Sequence, residues 1–126
     1  MPYLVDTNII IDMTRNNEGV IGYLDSLEGD WSISAITSLE LFAGARNQRE
    51  MADIDIMVSA YNAIPPTVDI TRRAYYLMKT YAKSNGVGTI DSLIAATAIE
   101  EGFTLATKNK KHFQMIDGLD LHVPNY

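Results

Sequence analysis

The 126-residue chain contains no cysteine, two histidines and one tryptophan. Lack of cysteine removes both a disulfide framework and a thiolate zinc site, and the scarcity of histidine argues further against zinc. No basic-then-apolar leader opens the sequence, and no apolar run approaches the ~20 residues of a membrane helix. A cytoplasmic location without a membrane partner is therefore the expectation. Internal repeats, low-complexity tracts and linkers are absent too, and the length suits a single domain, residues 1–126, around one core. Positive charge is in short supply. Against 16 acidic residues stand 10 basic ones, a formal net charge of -6. Such a surface repels nucleic acid unless cations are gathered locally, or unless some of the acids are themselves gathered at a cation site.

What is present is an alternation of short apolar runs and amphipathic segments. Strands are expected at residues 3–5, 31–33, 103–106 and 121–123. Helices are expected at 9–15, 20–27, 37–45, 50–62, 71–84, 90–101 and 110–116. "AIPPTVD" reads as extended, because each proline disfavours helix in the residue before it. Asn85 with Gly86, and Gly102, supply helix stops. Strands separated by helices predict an α/β fold of three layers, a central parallel sheet between helices. In such sheets ligands collect beyond the carboxyl ends of the strands.

Acids stand at informative places in that pattern. In "YLVDTNIII" an apolar strand ends in Asp6, followed by Thr7 and Asn8. Alone, Asp6 is as well explained as a helix cap. In "AITSLELFAGA", Ile36 and Ala43 define an apolar helix face, and Glu40 falls on it between Ile36 and Gly44. An inward carboxylate is costly unless paired, protonated or metal-bound, with Arg46 and Arg49 as candidate partners. Asp91, in "GVGTIDSLIAATA", lies in the first turn of a helix whose apolar stripe is Ile90, Leu93, Ile94, Thr97 and Ala98. A negative charge there suits the helix dipole. In "LATKNKKHF" a strand ends at Thr107, with Asn109 in the turn beyond. Each position singly has a structural explanation; the four in order do not.

Taken together, "LVDTNIIID", "TSLELFAGA", "TIDSLIAATA" and "LATKNKKHF" resemble the PIN-domain ribonucleases, and among them the VapC-like toxins of toxin–antitoxin pairs. The resemblance spans essentially the whole chain. It implies a PIN-like α/β/α fold, and an acidic site at Asp6, Glu40 and Asp91, with Asn109 where many members have aspartate. Thr107 matches a hydroxyl position near the site, and Thr7 and Asn8 match the polar turn after the first acid. It also implies metal-dependent endonucleolytic cleavage of RNA, a cognate antitoxin, and a homodimer.

The chemistry suits these residue types. Hydrolysis of a phosphodiester needs an activated water and neutralisation of phosphoryl charge, and Mg²⁺ or Mn²⁺ provides both. Hard oxygen ligands from distant segments suit such an ion, with Asp6 and Asp91 the expected ligands and Glu40 expected to position or deprotonate water. Asn109 brings no charge, so one firmly held ion is expected rather than a pair. Phosphate contacts are expected from Lys108 and Lys110 in "KNKKH" and from Arg46, although the lysine run also fits a solvated turn. His112 and His122 read as structural, and Tyr75, Tyr76 and Tyr81 as core or interface. A phosphoacceptor receiver domain fits less well, because its acceptor lies mid-chain behind an acidic pair near the start, where this chain has Asp6 alone. A haloacid-dehalogenase-like phosphatase wants a second aspartate where Asn8 stands. A catalytically inactive PIN-like binding module is separated from an enzyme only by assay.

Overall fold

The computed structural model describes residues 2–126. The chain opens on β1 (Tyr3–Val5) and turns at Asp6 into α1 (Thr7–Thr14), α2 (Glu18–Ser26) and β2 (Trp31–Ser34). It continues through α3 (Ala35–Ala43), α4 (Gln48–Ser59), β3 (Ala63–Ile64), α5 (Val68–Asn85) and α6 (Thr89–Glu101). It closes with β4 (Thr104–Ala106), α7 (Lys110–Phe113) and β5 (Leu121–His122). The five strands pair in parallel in the order β3-β2-β1-β4-β5. Leu4 stands opposite Ser32 on one side and Leu105 on the other.

Strand side chains alternate between the two faces of a sheet. Leu4 and Val5, both fully buried, therefore feed different cores. Leu4 joins Ile70, Leu77, Ile94, Leu105 and Phe113 under α5, α6 and α7. Val5 joins Ile9, Ile10, Val20, Leu24 and Leu41 under α1, α2 and α3. These two apolar layers make the expected α/β/α sandwich, with β1 at its centre. Among the described residues no helix is long and apolar enough to cross a membrane.

Four local expectations are corrected. The long helix begins at Val68, not at residue 71, because the Thr67 hydroxyl accepts from the Ile70 amide and caps it there. Its Tyr75 and Tyr76, expected as core or interface, are 69% and 56% exposed, which removes the core alternative for both. Helix α6 is buried on nearly all sides, through Ser92, Ile94, Ala95, Ala96, Thr97 and Ala98, rather than along one stripe. Ile90, assigned to that stripe, is substantially exposed, and the alanines instead let α5 and the sheet close on both flanks. In α3 the buried positions are Thr37 and Leu41, while Ala43 is exposed.

Gly102 ends α6 in the left-handed region, with φ 71°, and so frees Phe103 to lead into β4. A Cβ there is disfavoured by about 1 kcal/mol. Gly102→Ala is expected to lower the melting temperature by about 4–8 °C per kcal/mol, scaled down slightly for this length. Thermal denaturation followed by circular dichroism measures it.

Candidate active site

The carboxyl ends of β1, β2 and β4 lie side by side, and each delivers a polar side chain at the same edge. β1 hands over to Asp6, which is 4% exposed and serves as the N-cap of α1, its Oδ1 accepting from the Thr7 amide at 2.8 Å. β4 hands over to Thr107, fully buried, whose hydroxyl donates to Asp6 Oδ2 at 2.7 Å across 101 residues of sequence. The same Thr107 oxygen accepts from the Asn109 amide at 3.0 Å, which folds the following turn back on itself. β2 hands over to α3, which carries Thr37 and Glu40.

Thr7 ties the first and third of these together. Its hydroxyl donates to Glu40 Oε1 at 2.7 Å and lies 2.9 Å from the Thr37 hydroxyl. A hydroxyl has one hydrogen. With Thr7's committed to the carboxylate, Thr37 is the donor in the second bond. Glu40 is therefore held by a threonine pair, not by arginine: Arg46 ion-pairs with Glu50 at 2.6 Å on the exposed surface. Sequence reasoning passed over Thr37, whose signal was a polar residue three positions before Glu40 on the same helix.

Electrostatics place the third acid in the same neighbourhood. Burial pushes the Asp6 carboxyl above its usual range, and the negative charges of Asp91 and Glu40 push it further. The Thr107 hydroxyl and Thr7 amide work the other way without cancelling the rise. Burial likewise raises Asp91, against the opposing pull of His112, whose Nδ1 is 3.5 Å from Asp91 Oδ2. His112 thus stands at the border of the acids. His122 does not: its Nδ1 shares a 2.7 Å hydrogen bond with the Tyr23 hydroxyl, and the two rings stack.

The remaining positions fall around this edge. Asn8 is exposed on the first turn of α1, and Asn109 is half-buried as the N-cap residue of α7, where Lys110 and Lys111 are exposed. Lys108 turns the other way along α1, its ammonium 2.6 Å from Asp12 Oδ2. Glu40 lines a groove of about 890 Å³ with Ile11, Met13, Arg46, Ile54 and Met57, between the end of α1 and helices α3 and α4.

The donor set suits a hard divalent cation. It consists of carboxylate oxygens, their charges mutually unfavourable, and each Asp6 oxygen has capacity beyond the single hydrogen bond it accepts. Among the described residues no three His, Asp or Glu side chains are grouped so that together they could hold a metal ion. Mg²⁺ does not require such a group, being held commonly by one or two carboxylates with retained waters.

A PIN-domain family model matches residues 3–119. The chain is 35% identical over 122 residues to ribonuclease VapC10 of Mycobacterium tuberculosis, an alignment covering 92% of this chain and 89% of that one. Its fold is similar to that of a toxin–antitoxin complex from Klebsiella pneumoniae, with TM-score 0.82, 29% identity and 97% of each chain covered. It is similar also to VapBC2 from Rickettsia felis bound to a DNA fragment from its promoter, with TM-score 0.81, 28% identity and 98% of each chain covered.

Proposed function

The chain belongs to the PIN-domain family, and from that membership we propose that it is a Mg²⁺- or Mn²⁺-dependent endoribonuclease, the toxin of a toxin–antitoxin pair. The observation that carries this reading is the clustering of carboxylates at one sheet edge: Thr7 bonds both Asp6 and Glu40, and Asp6 feels the charge of Asp91. Similarity to a ribonuclease and to toxin–antitoxin complexes supports the substrate and the partner. The location is cytoplasmic, the assembly a homodimer, and a cognate antitoxin holds the activity in check.

Asp6 and Asp91 are the residues that would hold the ion, and Asn109, whose amide donates to the same Thr107 hydroxyl that grips Asp6, is the fourth site position. When bound, the ion supplies Lewis acidity toward phosphoryl oxygens and acidifies water. The chain's own contribution is positional. Thr107 and the Thr7 amide fix both oxygens of Asp6, so the carboxylate needs no reorganisation during reaction. Thr7 holds Glu40 by Oε1, leaving Oε2 to take a proton from attacking water. Asn8 and Lys110 present polar and cationic groups to the RNA backbone, and Arg46 joins them by leaving its ion pair with Glu50.

Incubation of the purified chain with single-stranded RNA and Mg²⁺ is expected to shorten the RNA. EDTA should stop the reaction and excess Mg²⁺ should restore it. A protein that retains RNA on a gel without shortening it in Mg²⁺ or Mn²⁺ is a binding module, and the enzymatic reading fails. Lys110→Glu should weaken RNA binding and reduce the slope of log affinity against log salt by about 0.7 per lost phosphate contact. An unaltered slope in filter-binding titrations removes Lys110 from the contact surface.

A further inference from the structure

The Thr107–Asn109 turn is fastened to α1 at two points. Thr107 grips Asp6 at the cap of the helix, and the next residue, Lys108, places its ammonium 2.6 Å from Asp12 Oδ2. With a rise of 1.5 Å per residue, the two anchors sit about 9 Å apart along α1. Asp12 is held in turn. The Tyr126 hydroxyl donates to the same Oδ2 at 2.7 Å, and the Lys108 ammonium lies 5.1 Å from the centre of the Tyr126 ring. Tyr126 is seated against Gly19, where a Cβ would come within 2.6 Å of its own. Burial works against charge on Asp12, yet the Lys108 ammonium and the Tyr126 hydroxyl outweigh it and keep the carboxyl below its usual range.

We infer that Asp12 and Tyr126 are positioning residues for the acid site: by fixing Lys108 they set the turn that aims the Thr107 hydroxyl at Asp6. The inference rests on the nuclease reading above. Its weight comes from a comparison of magnitudes. A partly exposed ion pair contributes about 0–1 kcal/mol to stability, so the knot does little for the fold. A displacement of about 1 Å at a reacting group can cost ~10²-fold in rate. Lys108 lies between Thr107 and Asn109, so the knot is joined to the turn through a single side chain. On this assignment the Lys108 ammonium serves Asp12 and Tyr126, not substrate phosphate.

The test compares Asp12→Asn, Lys108→Met, Lys108→Arg and Tyr126→Phe in the full chain. Three quantities are measured: kcat and KM on a short RNA, the melting temperature without metal, and its rise on Mn²⁺ titration without RNA. Asp12→Asn and Lys108→Met should lower kcat about two- to fivefold at unchanged KM, the most that ~1 kcal/mol of positioning supplies, and diminish the Mn²⁺-induced rise. Lys108→Arg should restore both, and Tyr126→Phe, which keeps the ring against Gly19, should fall between. A raised KM with a shallower salt dependence for Lys108→Met places Lys108 on RNA and overturns the inference. So does a lower metal-free melting temperature with kcat and Mn²⁺ response intact. If the wild-type chain cuts no RNA, the nuclease reading has failed, and the Mn²⁺ titration alone decides. A smaller rise in Asp12→Asn then supports the positioning role. An equal rise, or none in the wild type, overturns it.

Discussion

Asp6→Asn is expected to reduce metal-dependent RNA cleavage by at least ~10³-fold, equivalent to about 4 kcal/mol of transition-state stabilisation. The substitution isolates charge from shape. Asparagine keeps an oxygen for the Thr7 amide, so the α1 cap survives, while its NH2 group turns the Thr107 hydroxyl from donor into acceptor. A buried charge that lies close to two other acids is removed. The variant should therefore melt no lower than the wild type in EDTA, while Mg²⁺ or Mn²⁺ loses most of its stabilising effect. Steady-state cleavage and thermal melts with and without metal measure the two halves. Cleavage near the wild-type rate dismisses Asp6 as a ligand. Unfolding of the variant transfers its importance to the cap.

Phe113→Ala should destabilise the fold by about 3–5 kcal/mol, a large share of the ~5–15 kcal/mol typical of a small domain. Phe113 is 1% exposed and heads the fully buried side chains by volume. It comes from a four-residue helix, too short to persist on its own hydrogen bonds. Burial of this ring among Leu4, Ile94, Leu105 and Ile116 is what keeps α7 against α6. Because α7 carries Lys110, Lys111 and His112, the loss extends to the border of the acid site. Urea denaturation should show a lower midpoint, and Phe113→Leu should recover most of it. A change under about 1 kcal/mol for the alanine variant means the cavity collapses and α7 is held some other way.

The architecture was legible because its signals are local. Tyr3, Leu4 and Val5 form a run short enough for a strand and apolar on both faces, and Asp6 marks where it stops. Gly86 and Gly102, both at positive φ, close helices where the sequence suggested. Glu40 does face inward, but the neighbours that define its side are Thr37 and Leu41, not Ile36 and Ala43. The error came from counting Ala43 as buried, when an alanine near a helix end is tolerated equally well in solvent. Residues 65–70 misled because two prolines outweighed the cap that Thr67 forms with Ile70. α6 misled for a different reason. A helix clamped between α5 and the sheet needs no polar face, so periodicity has nothing to report. The contacts among Asp12, Lys108 and Tyr126 join residues 96 and 114 positions apart, and no spacing rule reaches that far.

The placement of β1 carries a consequence for folding. The central strand comes before its neighbour β4 by about a hundred residues, as Tyr3 pairs with Thr104 and Val5 with Ala106. Pairing across so long a separation closes a large loop and is slow to form. Until residues 104–107 are available, Asp6 has neither Ala106 to hold its amide nor Thr107 to orient its carboxylate. A chain lacking residues 104–107 thus has Asp6 without the two partners that hold it in the folded domain.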